Sequence, residues 1–236
     1  MKTRLLLPLL FSGLVPAHAA TVVVSTARGW YDSSGYAAPS DNYQTGAGSA
    51  ARRSWFTFDL SGVSSPVVSA AFVVYEPMYG YRSEDSFGAA LNASETLAFY
   101  DVSSAGLAAD GSGGNGAIFT DLGSGVSYGS FAVTAADDGT FLTFALNGAG
   151  VAAINAHLGG TFSFGAALTS ADSDPTTNQF VFNGSHTGNP ADGNTALSLT
   201  TSAVPEPGTA AAFAALGTPL AFRLRRRFKA RVASRR

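Results

Sequence analysis

The chain has 236 residues, no cysteine and a formal net charge of -2. Residues 20–203 hold four Arg and no Lys against fifteen Asp and Glu, a net charge of -11, whereas eight of the fourteen basic residues follow residue 222. The acidic body lacks the basic face that neutralises phosphates, which excludes nucleic acid as a partner, and its size is sufficient for one hydrophobic core without disulfides.

The first 20 residues have the order of a secretory signal peptide. Lys2 and Arg4 form a charged start, residues 5–15 are apolar, and Ala17-His18-Ala19 is a small-residue cleavage site. We expect signal peptidase to cleave after Ala19 or Ala20, so that the chain is exported through the inner membrane.

Residues 21–203 read as a single all-β domain. Short runs of β-branched, aromatic and small residues alternate with breaks rich in Gly, Asp, Asn and Ser, which is typical of antiparallel strands. The pattern predicts an antiparallel, jelly-roll-like β-sandwich. The nine predicted strands are 21–25, 54–60, 67–76, 96–102, 130–135, 140–146, 161–168, 179–183 and 196–201.

One short helix is predicted at residues 148–158, where Val151, Ile154 and Leu158 have helical spacing.

Two motifs resemble catalytic or nucleotide-binding signatures. Gly125-Val126-Ser127-Tyr128-Gly129 fits GxSxG, but a strand is expected to follow, so a hairpin turn is favoured over a nucleophile elbow. Gly111, Gly113 and Gly116 fit GxGxxG, but residues 117–120 look like a strand, which favours a flexible loop.

A segment near the N-terminus resembles a family of secreted modules. Asp41-Asn42-Tyr43, then Arg52 to Ser61 and the Ala-rich strand from Val67, are similar to DNRLRE-type modules. That resemblance implies a jelly-roll β-sandwich of a kind that, in some members, binds polysaccharide. Within the segment, Asp59 is expected to cap a turn through Ser61 or to pair with Arg52 or Arg53, the alternative being a ligand contact.

Aromatic residues provide the hint of ligand recognition. Trp30, Tyr31, Tyr36 and Tyr43 cluster in a polar, Gly-rich region. Flat rings on exposed loops stack against sugar faces, so these four are candidate glycan contacts. The other interpretation, which is favoured, is that they pack the rim of the sandwich.

No metal or other cofactor is expected, although calcium is considered for the acidic loops. Asp172 and Asp174 lie in one such loop, and Asp137 with Asp138 in another. Calcium prefers oxygen-rich loops, but the EF-hand spacing is absent, so solvated turns are the favoured interpretation. His157 and His186 lack a third ligand at a recognisable spacing for zinc.

Residues 204–236 have the order of a sorting signal. Val204, Pro205, Glu206 and Pro207 precede an apolar run at 208–222, which is followed by a basic cluster at Arg223, Arg225, Arg226 and Arg227. This order resembles the PEP-CTERM signal of Gram-negative bacteria. The resemblance implies a transmembrane helix, recognition and cleavage by an exosortase, and delivery to the cell surface or extracellular matrix.

These observations lead to a functional hypothesis. The chain is expected to be a non-catalytic, exported surface or matrix protein associated with exopolysaccharide. Two alternatives are a secreted hydrolase or lyase acting on that polysaccharide, which needs two suitably spaced carboxyl groups, and a single-pass protein that keeps its C-terminal membrane anchor.

Overall fold

A computed structural model describes residues 18–37, 42–103, 107, 114–172, 174, 176–184 and 192–202. Residues Ala19–Thr201 form a compact unit. Its elements, in chain order, are β1 (Ala19–Asp32), β2 (Thr45–Ala47), β3 (Arg52–Asp59), β4 (Val67–Tyr75), β5 (Arg82–Glu84), β6 (Glu95–Asp101), α1 (Gly116–Asp121), β7 (Ser127–Val133), β8 (Phe141–Ala145), α2 (Gly148–Ala156), β9 (Thr161–Leu168), β10 (Asn178–Val181) and β11 (Thr195–Thr201).

The strands form a curled antiparallel sheet in which β1 has two different partners. Residues 19–24 of β1 pair with β11, and residues 25–32 pair with β3 after a register shift between Ser25 and Ala27. A bulge of this kind bends a strand and increases its twist. The strand order along the sheet is β7-β6-β9-β3-β1-β11-β4-β8, and β2, β10 and β5 branch from the start of β3.

The core lies on the concave side of this curled sheet and is built from phenylalanines. Phe72 of β4 contacts Phe56 of β3, Phe99 of β6 and Phe164 of β9, at ring-centroid distances of 4.6, 5.4 and 5.0 Å. All four side chains are fully buried. Burying each of these side chains stabilises the fold by about 1.5–3 kcal/mol. Successive side chains of a strand point to opposite sides of the sheet, so the side that carries the phenylalanines becomes the core.

A second, smaller cluster covers the outer side of β1 and β3. Tyr31 and Trp55 pack there against Ile118 and Leu122, at and just after α1. The backbone at Leu122 lies close to Gly165 of β9, where an added Cβ would stand 2.4 Å from the Leu122 carbonyl oxygen. Residues 116–122 therefore cover one outer face of the sheet.

All nine predicted strands are confirmed as elements; β9 has the predicted ends, and the ends of the other eight are shifted. β1 is longer than the predicted 21–25, because its second half continues along β3 after the bulge. The three-residue strands β2 and β5 were not predicted, since so short a run carries no periodicity. α2 confirms the predicted helix; the Asn147 side chain accepts hydrogen bonds from the N–H groups of Ala149 and Gly150.

The strand expected at residues 117–120 is wrong. These residues belong to α1, so the described residues contain two α-helices where the sequence predicted one. Ile118 and Leu122 are four positions apart and face the Trp55 cluster, which explains the helical conformation. The helix does not support a dinucleotide site, because every strand pairing in the described sheet is antiparallel.

Candidate functional site

The four candidate glycan-contacting aromatics have different environments. Tyr31 and Tyr43 are buried, Trp30 is 8% exposed, and Tyr36 is 38% exposed. Exposed rings, the less favoured of the two interpretations, are therefore wrong for Tyr31 and Tyr43, and for most of the Trp30 ring. These three side chains pack within the fold, as the packing interpretation expects, whereas the Tyr36 ring is accessible to solvent.

The burial of Tyr31 and Tyr43 follows from their elements. Tyr31 lies in β1 under the α1 cluster, and its hydroxyl donates to the Leu107 carbonyl oxygen at 3.0 Å. The Tyr43 ring packs on Phe56 and Phe182, its hydroxyl donates to the Tyr75 carbonyl oxygen at 2.8 Å, and burial raises the pKa of that hydroxyl. Both hydroxyls are therefore engaged in holding the fold.

Trp30 forms one wall of a patch that includes a stacked arginine. The Arg52 guanidinium lies 4.5 Å from the Trp30 ring centroid and 5.7 Å from that of Phe180. Trp30 Nε1 donates to Asn42 Oδ1 at 3.1 Å, and the Tyr36 ring lies 6.1 Å from the Trp30 ring. We name these five residues, Trp30, Tyr36, Asn42, Arg52 and Phe180, the Trp30 patch.

Arg52 has donor capacity to spare within this patch. One of its terminal nitrogens donates to Gln44, which in turn donates to Asn183, while its buried Nε has no hydrogen-bond partner in the described structure. The two ion pairs among the described residues are Arg28–Asp192 and Arg82–Glu84, so neither uses Arg52. Desolvation lowers the pKa of Arg52, yet an arginine stays charged at any physiological pH.

The patch combines an exposed ring, the edge of a second ring and a planar cation. Rings of this kind stack against the C–H faces of sugars, and a guanidinium donates in a fixed fork to hydroxyls or carboxylates. A cation–π contact holds the guanidinium in place before any ligand arrives. Chemically, the patch is suited to binding a polar ring.

Glu76 is a buried acid at the end of β4. It is 0% exposed; its Oε1 accepts a hydrogen bond from the Phe182 N–H at 2.8 Å, and its Oε2 has no partner in the described structure. Burial, together with the charges of Asp138 and Asp137, raises the pKa of Glu76 to about 8. The carboxyl is therefore neutral at pH 7, and it cannot contact a substrate without movement of the loops around it.

The backbone around Glu76 is unusual. Tyr79 and Phe182 have φ angles of 64° and 61°, in the left-handed region that non-glycine residues rarely adopt. An added Cβ at Gly80 would stand 2.1 Å from Glu76 Oε1. The surrounding turns are thus fitted tightly over the carboxyl.

The carboxylates of the candidate calcium residues accept hydrogen bonds within the protein, three of them from their own turns. The carboxylate of Asp172 accepts from the Asp174 N–H, and that of Asp174 accepts from the N–H and hydroxyl of Thr176, which lowers the pKa of Asp174. Asp137 caps the turn at Thr134, and Asp138 accepts from the Tyr81 N–H. Within the described ranges, no group of three His, Asp or Glu side chains is arranged to hold a metal ion.

Three other residues singled out in the sequence have local roles. The Asp59 carboxylate accepts from the Ser61 N–H at 2.8 Å, which confirms the predicted cap and lowers the pKa of Asp59. Ser127 is exposed at the start of the antiparallel strand β7. His157 is exposed at the C-terminal end of α2, where its Nδ1 contacts the Ala153 carbonyl oxygen at 2.8 Å.

Several predictions lie outside the described residues. They are the signal peptide up to residue 17, His186, the motif Val204–Pro207, the apolar run at 208–222 and the basic cluster from Arg223 to Arg227. Among the residues that are described, no helix is long and apolar enough to cross a membrane. No family model matches the chain, and comparison with curated proteins found no relative. The PEP-CTERM and DNRLRE resemblances therefore stay predictions.

Sequence reasoning missed Arg52 as part of the patch and Glu76 as a buried acid. Phe180 lies far along the chain from Arg52, so no local signal joins them. Glu76 did have a signal, because Phe72, Val74 and Glu76 alternate in β4 and its continuation, and the first two face the core. Alternation alone places Glu76 on the buried side.

Proposed function

We propose that this chain is an exported, non-catalytic protein of the cell surface or extracellular matrix. The observation that carries the proposal is the order of segments in the sequence: a signal peptide, an acidic all-β unit, the Pro205-Glu206-Pro207 motif, an apolar run and a basic cluster. The compact unit begins at Ala19 and ends at Thr201, next to the proposed boundaries at residues 20 and 204.

The domain is proposed to be a jelly-roll-like β-sandwich. In this view β1, β11, β4 and β8 form one layer, and β3, β9, β6 and β7 form the other, with β1 passing between them at its bulge. The contacts of Phe72 with Phe56, Phe99 and Phe164 support the arrangement, because they join strands from the two layers.

Sorting is proposed to use the C-terminal signal. An exosortase would recognise residues 204–207, the apolar run would hold the chain in the inner membrane, and cleavage would release an acidic domain. Mass spectrometry of the mature protein tests this step. A C-terminus near Pro205 to Pro207 supports it, and recovery of peptides from Arg225 to Arg236 in cell-surface material would show that the chain keeps its anchor.

Exopolysaccharide is proposed to bind at the Trp30 patch. Tyr36→Ala removes the most accessible ring of the patch and leaves the buried rings in place, so folding is expected to be unchanged. Stacking of one ring is worth about 0.5–1.5 kcal/mol, so the variant should bind polysaccharide roughly 2- to 10-fold more weakly in a retention assay. Phe87→Ala is the matched control, because that ring is 94% exposed and lies outside the patch.

Equal retention of the wild-type chain and the Tyr36→Ala variant would remove the patch from the proposal while leaving sorting untouched.

The burial of Glu76 supports a non-catalytic role. A glycosidase places an acid with a raised pKa in a cleft that the substrate can enter. Glu76 has a raised pKa, but its side chain is fully buried and a substrate cannot reach it.

A further inference from the structure

Arg52 is the charged member of the Trp30 patch, and its orientation decides what the patch can contact. Its guanidinium has five N–H donors, and the residue is half-buried at the start of β3. The cation–π contacts with Trp30 and Phe180 attract the guanidinium, but they do not fix the direction in which its N–H groups point. A further contact is needed to fix the orientation of Arg52.

Asp32 is a competing partner for Arg52. The two residues lie directly opposite each other in the ladder between β1 and β3, and opposite charges in such positions attract. Arg52 nevertheless forms no ion pair among the described residues. The Asp32 Oδ1 atom accepts instead from the N–H groups of Ser34 and Tyr36. The guanidinium is thus held away from the carboxylate in its own row.

The contact that holds Arg52 is with Gln44. Arg52 Nη1 donates to Gln44 Oε1, and Gln44 Nε2 donates to Asn183 Oδ1. Because arginine is a donor only, the Gln44 amide has to present its oxygen to Arg52 and its nitrogen to Asn183. Gln44 is buried, and its backbone N–H donates at 2.9 Å to the hydroxyl of Ser54, which also lies on β3. The amide is therefore fixed relative to the strand that carries Arg52.

Asn183 is fixed in turn by the turn above Glu76. The Asn183 N–H donates to the Gly80 carbonyl oxygen at 3.1 Å, and the N–H of the preceding residue, Phe182, donates to Glu76 Oε1 at 2.8 Å. Phe182 has a φ of 61°, and a strained residue of this kind persists where its surroundings determine its conformation. With this backbone conformation, both N–H groups bond to residues 76–80 while the Asn183 side chain reaches Gln44.

We propose that Gln44 and Asn183 are positioning residues of the Trp30 patch. They hold the Arg52 guanidinium against Trp30 and away from Asp32, so that its unused donors are already oriented when a ligand arrives. This inference rests on the proposed binding of polysaccharide at the patch. An arginine that is ordered beforehand spares the complex the entropy lost when a long side chain is immobilised on binding.

A role in folding alone does not explain where this chain of amides ends. A leucine at position 44 would occupy a similar volume and would need no polar partners, and such replacements of buried polar groups are often neutral or stabilising. The amides lead instead to a half-buried guanidinium whose Nε has no partner in the described structure. Arg52 is therefore oriented by the chain without being saturated by it.

A double-mutant cycle on the full chain tests the proposal. Gln44→Leu removes both amide hydrogen bonds and should weaken retention of polysaccharide, extracted from the matrix of the cells that make this chain, by roughly 2- to 10-fold per folded molecule. In an Arg52→Ala chain, Gln44→Leu should have no further effect, because the residue that it positions is gone. In a Tyr36→Ala chain it should cause the same loss as in the wild-type chain.

Gln179→Leu is the matched control for the loss of a buried amide. Gln179 is buried; its Nε2 donates to Glu95, and its Oε1 accepts from the Asp172 N–H. Its side chain lies on the side of β10 opposite to that of Phe180, since successive side chains of a strand alternate. The control should leave retention per folded molecule unchanged. An equal loss from Gln44→Leu with and without Arg52 would overturn the proposal, because Gln44 would then act through the fold.

Two substitutions of Asn183 test the second positioning residue. Asn183→Ala removes the oxygen that accepts from Gln44 and should weaken retention by a similar factor. Asn183→Asp keeps an acceptor oxygen, so it should bind polysaccharide more tightly than Asn183→Ala. Equal retention by the two variants would remove Asn183 from the proposal.

Nuclear magnetic resonance of the arginine side chains, on the full chain in detergent, tests the positioning without a ligand. The Arg52 guanidinium lies 4.5 Å from the Trp30 ring centroid, so its signals should be displaced by the ring current. In Gln44→Leu they should move toward those of the exposed Arg82. Unchanged Arg52 signals would overturn the inference whether or not polysaccharide binds. No retention of polysaccharide by the wild-type chain would instead overturn the proposed binding at the patch.

Discussion

Glu76→Gln is expected to remove a pH dependence from the stability of the domain. Burial raises the pKa of Glu76 from 4.5 to about 8 in the folded chain, and unfolding returns it to its ordinary value. The folded state therefore keeps a proton that the unfolded state releases above about pH 4.5. The stabilisation from this proton is complete below pH 4.5 and declines as pH rises, until it is lost above about pH 8.

The structure gives the magnitude of this effect. One pKa unit corresponds to about 1.4 kcal/mol, so the shift from 4.5 to about 8 amounts to at most about 5 kcal/mol. Glutamine keeps the oxygen that accepts from Phe182, but it buries an amide group where Oε2 has no partner, at a cost of about 1–3 kcal/mol. The variant should be less stable than the wild-type chain near pH 5 and more stable above pH 8.

Urea unfolding of the wild-type chain and the Glu76→Gln variant, at a series of pH values, measures the pH at which their free energies of unfolding cross. The fluorescence of the buried Trp30 and Trp55 follows the unfolding. Titrations common to both chains cancel in the difference. Glu95→Gln is a useful comparison, because that carboxylate accepts from Ser83, Asn92, Ser170 and Gln179, and an amide there should cost about 3 kcal/mol at pH 7. A constant difference between Glu76→Gln and wild type from about pH 5 to pH 9 would refute the reasoning.

Two further predictions concern single interactions. Asp192→Ala should lower the free energy of unfolding by about 3–5 kcal/mol, because it leaves the fully buried Arg28 without its bidentate partner. Glu84→Ala removes the exposed pair with Arg82 and should lower the free energy of unfolding by less than about 1 kcal/mol. Equal losses would contradict this account. Tyr79→Asn should raise the free energy of unfolding by about 0.5–1 kcal/mol, since asparagine tolerates the φ of 64° and the replaced ring is 75% exposed. Thermal unfolding measures the effects of the Asp192, Glu84 and Tyr79 substitutions. A lower melting temperature for Tyr79→Asn would argue against strain at Tyr79.

The strands were predictable because their alternation is set by one buried face. In β3 and β9 the phenylalanines fall on every second residue, and in β4 Ala70, Phe72 and Val74 do the same; each of the three runs reached the structure with its boundaries nearly unchanged. The second half of β1 was missed because Gly29, Trp30 and Tyr31 are all buried and the alternation is lost. Both sides of the strand are covered there: Tyr31 packs in the cluster with α1, and Trp30, on the other side, is covered by Asn42 and Arg52 of the Trp30 patch.

The environment of the candidate site depends on contacts that local sequence does not contain. Arg28 pairs with Asp192 across 164 positions of the chain, and the Tyr43 ring lies beneath Arg28 at 5.0 Å. A tyrosine surrounded by Gly, Ser and Asp looks exposed in sequence, but here distant strands cover it. Tyr36 differs because it follows the turn at Asp32, whose carboxylate holds the loop outside the sheet.

The pairing of β1 with β11 bears on how the domain responds to mechanical load. Ala19 and Thr201 lie opposite each other, so the chain enters and leaves the compact unit side by side. β11 is bonded on both of its sides, to β1 and to β4. A tether that pulls on Thr201 along the strand must shear two ladders of hydrogen bonds at once, whereas peeling would break them one at a time. The domain is thus built to stay folded when it is held by its C-terminal strand.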